Sequence, residues 1–176
     1  GILPGFGHGD ACVGEVRAAL CARAPSFPRR ELARAGPPFA RSTGSFFRAA
    51  SRKYYPPGAI VICVVDPGVG SSRDLLCIRN KDHALFGPDN GLLHIAYTDM
   101  LREGPVRVHT LPAQQLPTGP FHGRDILAPA AASLAPAPGS AGLPGALRRE
   151  HTMPPGWAAP ARAPDELTCR VLHVDR

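Results

Sequence analysis

The chain has 176 residues, room for one ordinary domain with part of a second and enough to bury a real core. No run of 18 apolar residues occurs, because proline, arginine or glycine interrupts every hydrophobic stretch, and a membrane-spanning helix is excluded. The formal charge of +6 is concentrated in residues 17 to 53, where nine lysines and arginines face the single acid Glu31; nearly all are arginine in a chain also heavy in alanine, glycine and proline, which reads as coding bias and a solvated face, so no nucleic-acid partner is expected.

Residues 1 to 10, GILPGFGHGD, read as the end of a strand opening into a glycine-rich loop, and Asp10 or a neighbour starts a helix through VGEVRAAL. The loop is no dinucleotide fingerprint, since the third glycine of GxGxxG is missing whether counted from Gly5 or Gly7, and it is no P-loop. Residues 22 to 43, rich in proline and arginine, are expected to form a long loop. GSFFRAASRKYY at 44 to 55 spaces Phe46, Phe47, Ala50 and Tyr54 as a helix would, and Pro56-Pro57-Gly58 ends it. AIVICVVD is a buried strand by its β-branched continuity, and DLLCIRN and HALFG are two more. Asn90 is placed to cap a helix through LLHIAYTDM, VRVHTL alternates as a strand, and GRDILAPAAASLA reads as a helix interrupted by Pro129.

Strands alternating with helices predict an α/β fold: a largely parallel sheet flanked by helices, with ligands bound beyond the carboxyl ends of strands. Asp66 stands at one of those ends. The expected layout is an α/β catalytic domain over 1–134, a Pro/Ala/Gly-rich linker over 135–164, and over 165–176 a first strand, LTCRVLHVD, of a second domain cut short at Arg176. Five cysteines without a CxxC pair point to thiols in a reducing compartment, hence the cytoplasm. Seven histidines without zinc-ligand spacing predict no metal.

Three stretches put polar or charged groups at a glycine-containing break beside an apolar element: VVDPGVGSSRD, LFGPDNGLL and PFHGRDILAPAAA. Each alone is good turn chemistry. Together and in this order they resemble the S-adenosylmethionine hydrolases, also called SAM hydroxide adenosyltransferases, relatives of the fluorinase and chlorinase enzymes. The resemblance covers most of residues 2 to 134, with a poor match at 21 to 43, and resumes weakly at VLHVDR. It implies an α/β N-terminal domain, a small C-terminal β-barrel of which only the start is present here, and a homotrimer with active sites between subunits.

The resemblance also implies hydrolysis of S-adenosylmethionine (SAM), the substrate, to adenosine and methionine by water attack at the 5′ carbon, with no cofactor. The leaving group is a neutral thioether, so the demanding partner is the water, which must be aimed and deprotonated. The family's catalytic set falls here on Asp66, Arg73 and His122. Asp66 can accept a hydrogen bond from the water, Arg73 can favour its hydroxide character, and the His122 imidazole can orient it or share its proton. On the residues alone, without the resemblance, Asp66 and Arg73 are better read as bracing a turn. Asn90 and Asp89 are candidates to position the substrate, although capping explains Asn90 as well. Phe39 aligns with an aromatic that stacks on the adenosyl group in the halogenase branch, and Arg124 and Asp125 read as an ion pair at a helix start.

The family's first strand ends in Thr-Asp-Phe-Gly, whose aspartate grips the ribose; here the place reads Pro4-Gly5-Phe6-Gly7. Residues 25 to 40 lack the family's apolar strand, Asp and His, with Glu31 and Arg34 near those places. The VDRFGN motif breaks off at Arg176. A catalytically silent module that binds SAM or adenosine is therefore the alternative reading. Halogenase activity is disfavoured by the carboxylate of Asp66, since a halide needs a desolvated polar cradle.

Overall fold

The computed structural model describes residues 1–4, 11–31, 51, 54–66, 73–111, 121–135, 143, 147–155 and 161–169. Most of the helix expected over 44 to 55, and Phe39, lie outside them. Six strands form one sheet: β1 (Ile2–Pro4), β2 (Ala59–Val64), β3 (Leu75–Arg79), β4 (His83–Pro88), β5 (Arg107–Leu111) and β6 (Leu147–Arg149), in the order β1-β2-β4-β3-β5-β6. β1, β2 and β4 pair parallel, while β3 pairs antiparallel with β4 and β5, and β5 with β6. β1, β2, β4 and β5 consequently point one way and β3 and β6 the other, which gives the expected largely parallel sheet two reversed strands, β3 inside it and β6 at its edge. The reversal follows from chain length: only 80–82 separate β3 from β4, far too few for a parallel crossover. Asn80 shapes this turn, its Oδ1 accepting from the backbone N–H of Asp82 (3.0 Å) and His83 (2.8 Å).

Helices cover both faces, which is why the central strands are apolar without alternation. On one face Ile62, Val64, Cys77 and Phe86 pack with Val16 of α1 (Ala11–Arg23) and with Ala128, Ala131 and Leu134 of α3 (Ala128–Leu134). On the other, Val61, Cys63, Ile78 and Leu85 pack with Ala96, Tyr97 and Met100 of α2 (His94–Glu103). Burying a side chain the size of Phe86 or Leu85, both 0% exposed, contributes about 1.5–3 kcal/mol. Cys63 and Cys77 are core residues, burial pushes the Cys77 thiol up to about 12, and none of the five cysteines is in a disulfide.

Local reading and structure part in four places. Glu31, inside the expected loop, makes a parallel bridge with Ile2, whose N–H donates to Arg30 O (2.9 Å), so the chain beside β1 starts to extend the sheet. Asn90 does not cap α2, which begins at His94; the intervening residues form a turn. The interruption expected at Pro129 takes the form of a π-helical turn over Gly123–Leu127 that hands over to α3, with Pro129 in the helix's first turn, where its missing N–H costs nothing. Finally, residues 147–149, whose composition reads as linker, form β6 on the edge of β5, and 161–163 form β7 (Ala161–Ala163), which pairs with β8 (Glu166–Thr168) in a separate exposed hairpin. Composition missed β6 because what recruits it is an unpaired edge on β5 and carboxylates near Arg149. No helix among the described residues is long and apolar enough to cross a membrane.

Candidate active site

β2 lies between β1 and β4 and is packed on both faces, and the two residues after it remain buried: Val65 is 2% and Asp66 8% exposed. Arg73, at the entrance to β3, returns to this point, and its Nη1 donates to Asp66 Oδ1 in a short ion pair. The other oxygen, Oδ2, lies 3.9 Å from His122 Nδ1. That nitrogen is buried and has no hydrogen-bond partner among the described residues. Asp66 and Arg73 of the first sequence motif and His122 of the third thus meet at one carboxylate.

His122 reaches Asp66 because the next residue has no side chain. A Cβ on Gly123 would lie 2.9 Å from Val64 Cγ1, closer than such contacts occur, and a tight 3.1 Å from the Phe121 ring. The π-helical turn is fastened from behind. Arg124 Nε donates to Asp125 Oδ1 (2.6 Å), Arg124 Nη1 donates to Glu15 Oε2 of α1 (2.9 Å), and Asp125 Oδ2 accepts from the Phe121 N–H (3.2 Å). The hydrogen bond from Arg124 holds the Asp125 carboxyl below the usual carboxylate range. Arg124 and Asp125 are therefore an ion pair at the start of this helical segment, as their sequence reading has it.

Asn90 is 5% exposed and braces the same strand end. Its Nδ2 donates to Val65 O (2.8 Å), next to Asp66, while its Oδ1 accepts from Leu92 N–H (3.0 Å) to close the turn before α2. Asp89 is 3% exposed and is bound by a segment far along the chain: Oδ1 accepts from Met153 N–H (2.8 Å), and Oδ2 pairs with Arg149 Nη1 (2.9 Å). Both of its oxygens are engaged within the chain. Phe39 lies outside the described residues. Arg149, Thr152 and Met153 are contributors that the sequence did not signal, since they sit in a stretch whose composition reads as linker.

Chemically, the centre is a nearly buried carboxylate neutralised on one oxygen and facing an imidazole nitrogen with the other, which can hold and deprotonate a small polar molecule. Among the described residues no group of three His, Cys, Asp or Glu is placed to hold a metal ion. An apolar cavity of about 620 Å³ opens between Phe27, Tyr55, Pro57, Ile60 and Ala132, at the opposite end of β2, and includes none of Asp66, Arg73 or His122.

Residues 2–141 match the SAM hydroxide adenosyltransferase N-terminal domain. An (R)-S-adenosyl-L-methionine hydrolase of Thermus thermophilus is 38% identical over 144 residues, 76% of this chain and 55% of that protein. A hydrolase of the same name from Salinispora arenicola is 35% identical over 179 residues, 97% of this chain and 66% of that protein. The crystal structure of an uncharacterized conserved protein from Thermotoga maritima superposes with a TM-score of 0.76 at 26% identity, over 92% of this chain and 62% of that one. The chain thus spans between about half and two thirds of the length of these relatives. With the domain matched across all three motifs, two of which meet at Asp66 while the other braces Val65 beside it, the chain belongs to the SAM hydroxide adenosyltransferase family.

Proposed function

We propose that this protein hydrolyses S-adenosylmethionine to adenosine and L-methionine, and that Asp66, Arg73 and His122 are its catalytic residues. The observation that carries the reading is the convergence of an arginine and a histidine, from separate motifs, on the two oxygens of one nearly buried aspartate in a member of this family. The two relatives compared above act, by name, on the (R) sulfonium epimer, and the substrate proposed here is the same.

Water is held between Asp66 Oδ2 and His122 Nδ1, a span too long for a direct hydrogen bond and suited to a bridging molecule. Its oxygen attacks C5′ in line with the sulfonium; the new C–O bond forms as C5′–S breaks, and the bonding pair leaves on sulfur as a neutral thioether. The proton lost by water passes to the Asp66–His122 pair and on to solvent. Arg73 pairs with Asp66 and fixes the direction of its carboxylate, so that alignment is established before the reaction begins. No acid is needed at the leaving group and no cofactor enters. Asn90 positions the substrate side of the site through the turn it closes; Asp89 contributes through the backbone of that turn, its carboxylate being engaged elsewhere. Phe39 stacks on the adenosyl group. The protein works as a homotrimer with sites between subunits, in a reducing cytoplasm compatible with five thiols.

Incubation with the (R) and (S) epimers of SAM, followed by chromatography for adenosine, tests the reading. Adenosine from the (R) epimer supports it. Tight binding of SAM without adenosine leaves a silent binding module instead.

A further inference from the structure

Segment 147–155 crosses the site side of the sheet and is latched to the turn and helix that follow β4. Met153 N–H donates to Asp89 Oδ1 (2.8 Å), His94 Nδ1 meets Thr152 Oγ1 (3.0 Å), and Tyr97 OH donates to Glu150 O (3.3 Å). Pro155 presses on Gly91, where an added Cβ would come within 2.4 Å of it and where φ is +89°. Within this segment one atom does something the others do not. Arg149 Nη1 lies 2.8 Å from Asp74 Oδ2 and 2.9 Å from Asp89 Oδ2, so a single guanidinium nitrogen bridges two carboxylates.

Those carboxylates occupy particular places. Asp74 follows Arg73, the partner of Asp66; Asp89 precedes Asn90, which holds the carbonyl beside Asp66. Backbone already joins the two, Asp89 N–H donating to Asp74 O (2.9 Å), which brings their negative charges close together. Asp74 is about half exposed at 49%, and its pairing with Arg149 is weakened by solvent. Asp89 is 3% exposed, and a charge so buried needs its counter-ion. Without Arg149, the chain would have to separate the two carboxylates or open the turn to water, and either movement is transmitted directly to Arg73 and Asn90.

We propose that Arg149 is a positioning residue of this site: by bridging Asp74 and Asp89 it fixes the two arms that aim Asp66. The proposal rests on the reading of function above. It also makes a segment beyond the matched domain, residues 2–141, part of what sets the site's geometry.

Arg149→Met retains length and removes charge, whereas Arg149→Lys retains a cation whose one nitrogen can serve both carboxylates. With SAM in excess over protein, the Met variant is expected to form adenosine roughly tenfold to hundredfold more slowly at saturating SAM, with KM changed by less than about threefold, and the Lys variant to recover most of the rate. In parallel, the His94 imidazole, held below its ordinary value chiefly by burial, should titrate higher in the Met variant as segment 147–155 loosens. A Met variant with the unsubstituted rate overturns the proposal whatever happens to its melting temperature. Equal losses in both variants overturn it too, because charge would not then be what matters. If the unsubstituted protein forms no adenosine, the functional reading is what fails; the bridge is then decided by the His94 titration, which upholds it by rising in the Met variant and overturns it by staying put.

Discussion

His122 Nδ1 stands 3.9 Å from Asp66 Oδ2, while Arg73 holds Oδ1 of the same carboxylate. One oxygen is thereby fixed by a cation and the other is presented to an imidazole. Asp66→Asn keeps the shape and removes the charge, and is expected to slow adenosine formation by roughly 10²- to 10⁴-fold, the range for losing a positioned general base. Arg73→Ala and His122→Ala should each lose most of the rate while retaining a cooperative unfolding transition. Chromatographic assay of adenosine decides this: normal turnover in any two of the three variants removes the set from the mechanism.

Asn90 is a brace before it is anything else. Asn90→Leu strips Val65 O and Leu92 N–H of their partner where Asn90 itself is 5% exposed, at about 1–3 kcal/mol for each group left unsatisfied. Asn90→Asp still accepts from Leu92 N–H but turns an anionic oxygen on the Val65 carbonyl, and it should also destabilise. Urea unfolding measures both; a Leu variant within about 0.5 kcal/mol of the parent would contradict these bonds.

Two glycine substitutions should differ sharply. At Gly123 an added methyl meets Val64 and Phe121, so Gly123→Ala is expected to cost about 1–3 kcal/mol and to displace His122, lowering turnover as well. At Gly14, inside α1, nothing lies within 4 Å of an added Cβ, and Gly14→Ala should stabilise by about 0.5–1 kcal/mol with unchanged turnover. Thermal melts and the adenosine assay, run side by side, separate the two effects.

Acid sensitivity should come partly from His94 and His109. Burial lowers both, with Arg79, Arg107 and Arg148 adding to the effect on His109 and Asp89 opposing it on His94. A histidine lowered on folding binds its proton more readily in the unfolded chain. The fold therefore bears no penalty above the ordinary value of 6.5 and loses stability as pH falls below it toward the lowered folded values. His109→Gln should flatten that part of a stability-against-pH curve measured by urea unfolding. An unaltered slope would mean that His109 titrates alike in both states.

By the sequence resemblance Gly5 stands where the family has a ribose-gripping aspartate, and it lies outside the described residues. Gly5→Asp restores a charged acceptor for two hydroxyls, worth roughly 1.5–3 kcal/mol of binding. The SAM concentration for half-maximal rate should fall about tenfold or more. An unchanged requirement would show that ribose is held by other groups.

By itself the sequence determined which segments are buried and which family the chain belongs to. AIVICVV and LLCIR are apolar without alternation because helices cover both faces of the sheet, and that requirement is written in adjacent residues. The glycine after His122, at a break beside an apolar element, was legible for the same local reason. The tertiary structure alone decided which of these breaks meet, that Asn90 would brace Val65 and not cap α2, and that Arg149 would leave an apparent linker to reach Asp74, 75 residues earlier. Propensity and composition act over a few neighbouring residues. An open strand edge or a buried carboxylate acts on whatever segment the fold carries past it, and the position of that segment is set by the packing of the whole sheet.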